Sequence, residues 1–314
     1  MKAIGLMTPG GPEVLNIVDL PPVSAGPGQV RVKVVAVAVN PTDLLLRNGA
    51  FSAAQETQSR PLVPGMDIAG IVDEVGANVE TNIHVGDRVM GIVVPEGSYG
   101  AYRQQIVLDA RSVALAPQSK TLYEASTIAM NGLTAIMSLD LLNLQPGQTL
   151  AVTGAAGIYG GYVIQLAKHR GLTVIADAAA KDEERVRRYG ADIVVPRGDD
   201  VASHIRHYFP QGVDGLADGA VLNERAIPAV KDGGSFTSVR LYEGNGARDI
   251  AFSKTFVGDY RYHTDALNSL TQYVDQGILT PEVAALFKPE EAAEAHRLLE
   301  KGGVRGRFVI RFDE

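Results

Sequence analysis

Residues Gln148–Gly171 read QTLAVTGAAGIYGGYVIQLAKHRG, and this stretch sets the architecture. Thr149 to Thr153 run as a strand into glycines at Gly154, Gly157 and Gly160, and an apolar-periodic segment then continues through Lys168. Strand, glycine turn and helix occur in the order a dinucleotide-binding fold requires. Glycine permits a tight turn and a close backbone approach, while free N–H groups and the dipole at a helix N-terminus attract a pyrophosphate. The spacing is G-x-x-G-x-x-G instead of G-x-G-x-x-G, with Ala156 where the second glycine usually stands. Alanine is small enough to let a phosphate approach. A second strand, LTVIAD at Leu172–Asp177, follows at the spacing of a βαβ unit and favours a cofactor loop over a bare glycine turn.

Charges beyond the loop leave the choice of nicotinamide cofactor open. Asp177 ends the second strand, where an acid can accept from the ribose hydroxyls of NAD and repel a 2′-phosphate. Lys181, Arg185 and Arg197 could instead pair with that phosphate, although a solvated face is the simpler reading of Arg185.

Working outward, the chain up to about residue 122 is a series of short β-branched runs broken by Gly and Pro: Val30 to Val39, Ile68 to Val75, Arg88 to Val94 and Ala101 to Leu108. From there to Asp265, apolar strands (Thr149 to Thr153, Thr173 to Ala176, Ile193 to Val195, Ser235 to Val239) alternate with helix-length segments, the pattern of parallel βαβ units. The tail, with Phe308, Ile310 and Phe312 alternating, returns to the first unit. In a chain of 314 residues, 46% hydrophobic, there is ample material for two cores.

Composition removes several chemistries. A net charge of −7 with no concentration of Lys or Arg argues against nucleic acid or an anionic membrane as partner. Without cysteine there is no disulfide, thiol nucleophile or Cys-ligated zinc. The opening MKAIGLMTPGGPEVL reaches Thr8, Pro9 and paired glycines before a signal-type apolar core forms, and no apolar run approaches the ~20 residues of a membrane span. A cytoplasmic protein is expected.

Several ordered motifs carry a resemblance: AVAVNPTDLLLRNG (Asn40, Pro41, Asp43, Arg47, Gly49), PLVPGMDIAGIVDEVGANV (Gly65, Asp67, Gly70, Gly76), VGDRVMG at Val85–Gly91, NGLTAIMSL with Thr134 and Ala135, RYGAD at Arg188–Asp192, and EEAAEAHRLLEKGGVRGRFVI near the end. With the glycine loop, they span essentially the whole chain and resemble the zinc-free quinone oxidoreductase branch of the medium-chain dehydrogenase/reductase superfamily. The resemblance implies an α/β protein, a GroES-like β-rich catalytic domain (1–122 and 266–314) around a Rossmann doubly wound parallel sheet domain (123–265), with the active-site cleft between them and a homodimer joined through the Rossmann sheets. The candidate cofactor contacts are Thr134, Gly154, Ala156, Gly157, Ile158, Tyr159, Gly160, Asp177, Lys181 and Arg197, the last standing about where many NADP-dependent relatives carry a tyrosine. NADPH is the expected cofactor, with NADH the open alternative.

Zinc-dependent relatives carry a ligand Cys where this chain has Asn40, and a His-Glu pair where it has Met66 and Asp67, so no metal is expected. His204 and His207 form a His-x-x-His whose simplest reading is a surface helix. Leu45 stands where many relatives place a pocket tyrosine, which makes the substrate pocket more apolar. Asn40 is suited to hydrogen-bond a carbonyl or the nicotinamide ribose, or to serve as a turn residue before Pro41. Tyr99 and Tyr102 are candidate proton donors or packing residues, and Asp43 and Arg47, at i and i+4, could pair on one helical face. Asn40 and Tyr99 are the catalytic candidates.

Such a chain leaves the chemistry to its cofactor: hydride delivered to a quinone or to the β-carbon of an enone. Two other readings fit the same residues, a nicotinamide-binding sensor without turnover and a reductase of a carrier-bound enoyl intermediate.

Overall fold

The structure, a computed structural model, describes residues 1–51 and 56–312. In chain order the strands are β1 (Lys2–Gly5), β2 (Asn16–Asp19), β3 (Gln29–Ala38), β4 (Asp67–Val75), β5 (Arg88–Ile92), β6 (Gln105–Asp109), β7 (Val113–Leu115), β8 (Thr149–Thr153), β9 (Thr173–Ala178), β10 (Ile193–Pro196), β11 (Val213–Asp218), β12 (Val230–Ser238), β13 (Ala251–Lys254), β14 (Val283–Phe287) and β15 (Arg307–Arg311). The α-helices are α1 (Pro41–Asn48), α2 (Leu122–Ala125), α3 (Ala129–Leu142), α4 (Ile158–His169), α5 (Glu183–Arg188), α6 (Val201–Tyr208), α7 (Thr264–Asp275) and α8 (Ala292–Glu300). Among the described residues no helix is long and apolar enough to cross a membrane.

The chain forms two compact units: Met1–Met130 with Arg261–Gln276 and Pro281–Glu314, and Asn131–Tyr260 with Gly277–Thr280. Tyr123 to Met130 thus join the first unit, because α2 packs against β3, β4 and β5 and the Met130 N–H donates to Asp67. Gly277 to Thr280 go with the second, where the Thr280 hydroxyl accepts from the Gln165 amide at 2.7 Å.

The first unit is β-rich. Its main sheet runs β14-β15-β3-β4-β5-β7, with β6 also pairing β3. On β3, Val30, Val32 and Val34 alternate inward with Arg31 and Lys33 facing away, the two-residue period of a strand with one covered face. They pack with Ile68, Val72, Ile106, Ile310 and Ala295 of α8 into one core.

The second unit is a six-stranded sheet in the order β10-β9-β8-β11-β12-β13, all neighbours parallel. That is the doubly wound order, in which the chain first runs outward to one side of β8 and then restarts at β11 on the other. Leu150 to Thr153 are buried without alternation, as expected of a strand covered on both faces. The carboxyl ends of β8 and β11 lie side by side at the switch point, with Thr153 opposite Asp218.

Candidate functional site

The glycine loop opens at that switch point, and its glycines serve different ends. Gly154 adopts φ +67°, and a Cβ there would meet the Gly219 carbonyl carbon at 2.9 Å. At Gly160 a Cβ would lie 2.4 Å from the Gly154 oxygen, so α4 seats directly on the loop only because no side chain intervenes. Gly157 is the N-cap of α4 with φ −82°, and a Cβ there would meet only the Gly154 oxygen, at 3.3 Å. The N-cap Gly157 has no side chain to cap α4, so among the described residues no side-chain cap answers the N–H groups of its first turn, which begins with Ile158, Tyr159 and Gly160. Ala156 lies half-buried between the glycines. This backbone cradle fits a pyrophosphate.

Tyr159 turns its ring against Gly219 and shares a 2.8 Å hydrogen bond with Ser138. Ser138 is one turn beyond Thr134 on α3, so the buried Thr134 shares the helix face turned to the loop. From Ser138 a chain of hydroxyls continues to Thr255 and Thr237 at 3.3 and 2.6 Å.

Asp177, at the end of β9, points inward. One carboxylate oxygen accepts the Ala155 N–H at 3.0 Å, the Gly154 N–H contributes a further hydrogen bond, and the residue is 5% exposed. Burial raises its pKa against these donors and the Arg197 charge. Lys181 and Arg197, by contrast, are exposed, and neither side chain makes an ion pair or hydrogen bond among the described residues. Arg197 sits where the backbone of β10 leaves β9, its N–H on the Ala178 carbonyl. Arg185 donates to the Tyr189 hydroxyl.

Asp218 is a site residue the sequence reading passed over. Fully buried at the end of β11, it accepts from the Thr153 hydroxyl (2.6 Å), the Asn223 N–H (2.8 Å) and the Ser238 hydroxyl (3.2 Å), tying together the ends of β8, β11 and β12. The signal was available, since an Ala-Asp pair stands at the carboxyl end of both strands, Ala217-Asp218 closing β11 and Ala176-Asp177 one residue before the end of β9. Val221, Arg240 and Leu241, in the loops leaving β11 and β12, hold φ of +57°, +67° and +64°. Non-glycine residues in this region cost on the order of 1 kcal/mol or more each, and such strain gathers at functional edges.

In the first unit, the catalytic candidates do not share a site. Asn40 is fully buried as the N-cap of α1, with Pro41 next and the Asp43 carboxylate accepting its N–H at 2.8 Å. Its amide donates to Asp67 at 2.7 Å and accepts from Arg307 at 3.0 Å. Both ends of the amide thus help hold α1, β4 and β15 together, as expected of a turn residue before Pro41. Tyr99 donates its hydroxyl to the Val107 carbonyl at 2.9 Å and stands beside Arg103, a different neighbourhood. Burial pushes its phenol up to about 12, which makes it a poor proton donor.

Nor do Asp43 and Arg47 pair. Asp43 accepts from the N–H groups of Asn40 and Gly65 and from Tyr102, whose hydroxyl also meets His296 at 3.1 Å. Arg47 turns to Glu300 of α8 and the Gly10 carbonyl. Helical spacing permits the i, i+4 pair, but tertiary partners on both sides outcompete it. His204 bonds the Pro196 carbonyl and His207 packs on Tyr208; among the described residues no group of three metal-ligating side chains converges.

Residues 26–118 match the alcohol dehydrogenase GroES-like domain family, and residues 189–310 match the zinc-binding dehydrogenase family. The chain is 28% identical over 323 residues to an NADPH-dependent alkenal/one oxidoreductase, chloroplastic, of Arabidopsis thaliana, covering 99% of this chain and 79% of the relative. Among solved structures it resembles an NAD-dependent alcohol dehydrogenase at 30% identity, covering 99% of this chain and 100% of the other, with a TM-score of 0.85. The quinone oxidoreductase from Coxiella burnetii matches at 28% identity over 99% of each chain, with a TM-score of 0.86. Motifs, two-unit fold and glycine loop agree with these likenesses, and the chain belongs to the medium-chain dehydrogenase/reductase superfamily.

Proposed function

We propose that the protein is an NADPH-dependent reductase of quinones or α,β-unsaturated carbonyls that works without a metal. The observation that carries the cofactor choice is the orientation of Asp177. Its carboxylate is buried and turned to the N–H groups of the glycine loop, one oxygen accepting from Ala155, an orientation that weighs against its selecting an unphosphorylated ribose, while Lys181 and Arg197 stand exposed beside the same strand ends. The Arabidopsis relative, NADPH-dependent by name, supports the same choice.

In this reading the first turn of α4, at Gly157, Ile158, Tyr159 and Gly160, holds the pyrophosphate, with Gly154 shaping the turn and Ala156 lining it. Lys181 and Arg197 bind the 2′-phosphate. Asp177 acts from behind by fixing the loop backbone, Ser138 supports the loop from α3 through Tyr159, and Thr134, one turn earlier on that helix, lines the cofactor beside it. The bound nicotinamide supplies hydride; the chain supplies binding, orientation and exclusion of water. Asn40 and Tyr99 are left out of the reacting groups, since one is fully committed internally and the other is too weak an acid. We further propose a homodimer joined along β13, the edge strand of the six-stranded sheet.

The test is consumption of NADPH against a panel of quinones and enones, with and without a chelator. Turnover that survives chelation supports the proposal. Tight NADPH binding without turnover on any member would identify a sensor, and activity lost to chelation and restored by zinc would identify a metalloenzyme.

A further inference from the structure

β3 is ten residues long, so about 30 Å of strand separates Gln29 from Ala38. The Asn40 cluster follows the Ala38 end. At the Gln29 end lies a cavity of about 510 Å³, formed wholly within the first unit. That volume is in the range of small-molecule sites.

Its polar lining is unbalanced. Arg103 is 5% exposed and its guanidinium has no carboxylate partner among the described residues. One nitrogen donates to the Ser98 carbonyl, and Nε is buried without a partner. Burying a cation without its counter-charge is costly, and burial accordingly lowers the pKa of Arg103. Asp109 lines the same cavity but does not compensate, because both its oxygens are held by Arg111. Gln29 gives its carbonyl oxygen to the Gly26 N–H, which leaves its amide N–H groups for the cavity. The cavity thus presents one uncompensated positive charge and a surplus of donors.

Its apolar lining is aromatic. Tyr99, its hydroxyl anchored on Val107, forms one wall, and Tyr262 another, held by Arg111 at 4.4 Å and Arg261 at 4.8 Å from its ring centre. Phenol rings fixed in this way offer flat surface at little entropic cost.

We propose that this cavity binds a small aromatic monocarboxylate, with its carboxylate on Arg103 and its ring against Tyr99, as a site separate from the glycine loop. A monoanion balances the single charge, and a planar body suits the tyrosine walls. The proposal does not depend on the reductase reading, because the cavity includes no residue of the cofactor cradle.

Calorimetric titration of the full chain with benzoate, and with benzamide as its neutral counterpart, reads the charge requirement. Benzoate is expected to bind saturably and benzamide at least about tenfold more weakly. Ser24, exposed at the cavity wall, gives the cleanest variant: Ser24→Phe fills the space and should weaken benzoate by a similar factor without changing the melting temperature or NADPH affinity. Arg103→Met should do the same to benzoate; if it fails to fold, Ser24→Phe and the benzamide comparison still decide. Equal affinity for benzoate and benzamide, no saturable binding at millimolar benzoate, undiminished binding in Ser24→Phe, or displacement of benzoate by NADPH would each overturn the proposal.

Discussion

Gly157 and Gly160 stand one helical turn apart and should respond to substitution in opposite ways. Gly157 has ordinary φ and one close neighbour, the Gly154 oxygen at 3.3 Å from a Cβ, which must give by a few tenths of an ångström; Gly157→Asp is then tolerated by the fold and adds an N-cap to α4, worth a few tenths of a kcal/mol over glycine. The carboxylate would occupy the position proposed for the pyrophosphate. Melting temperature should hold or rise while NADPH affinity falls by at least about a hundredfold; unchanged affinity in the folded variant would remove the loop from the site. Gly160→Ala should do the reverse, forcing the Gly154 carbonyl away and destabilising the protein by about 1–3 kcal/mol. At the same scale, Lys181→Ala and Arg197→Ala test the phosphate contacts. A charge-assisted contact is worth about 1.5–3 kcal/mol, so the ratio of NADPH to NADH affinity should drop roughly ten- to a hundredfold in at least one variant. Tighter NADH binding by the wild type would overturn NADPH as the cofactor.

Among elements, legibility followed periodicity. Apolar runs at Val30 to Val39 and Ile68 to Val75 became β3 and β4 within a residue or two, and the strands expected at Thr149, Thr173 and Ile193 begin at those residues. The run at Ala101 to Leu108 gave β6 only from Gln105, because the backbone before it turns to bond Pro64, Gly65 and Lys2. β11, whose sequence VDGLAD contains glycine and two acids, has no apolar run to reveal it. Side-chain direction was least legible: nothing in the spacing says that Asp177 faces the loop, or that Asn40 is shut between Asp67 and Arg307. Asn40→Ala should therefore cost about 1–3 kcal/mol of stability by stranding those partners, measured by urea unfolding. A folded variant of full stability with lost turnover would restore Asn40 to the reacting groups.

The cluster joining α1 and α8 also makes stability depend on pH. Burial, with Asp67 nearby, pushes Asp43 up to about 7, and burial pushes Asp67 up to about 6. Burial first, then the Arg47 charge, holds His296 down to about 3. A carboxyl that ionises near 3.9 when unfolded stabilises the fold fully below that pH when its folded value is raised, and the contribution is lost as pH rises through 6 to 7. A histidine with a depressed folded value does the opposite: its contribution is present above about 6.5 and lost as pH falls through 3. Between about pH 4 and 6.5 the two oppose one another. His296→Gln, which can still meet Tyr102, should make stability fall more steeply from pH 4 to 7, and Asp43→Asn should make it fall less steeply. Unchanged slopes in both would mean that neither group titrates abnormally.

For the whole molecule, the six-stranded sheet poses the problem of its edge. β13 pairs with β12 on one side, and among the described residues no strand covers its other side. Unpaired strand edges invite association, and β13 is not blunted by proline, while Phe256 just beyond it is 42% exposed and Leu241 48%. Two copies meeting along β13 about a two-fold axis would continue the sheet and cover these side chains. Light scattering at micromolar concentration should give twice the chain mass. Phe256→Asp places a charge against its own copy across the axis, so it should shift the protein toward monomer while leaving NADPH affinity per chain unchanged. A wild type that is already monomeric would refute the dimer, and a Phe256→Asp variant that stays dimeric would move the interface away from this edge.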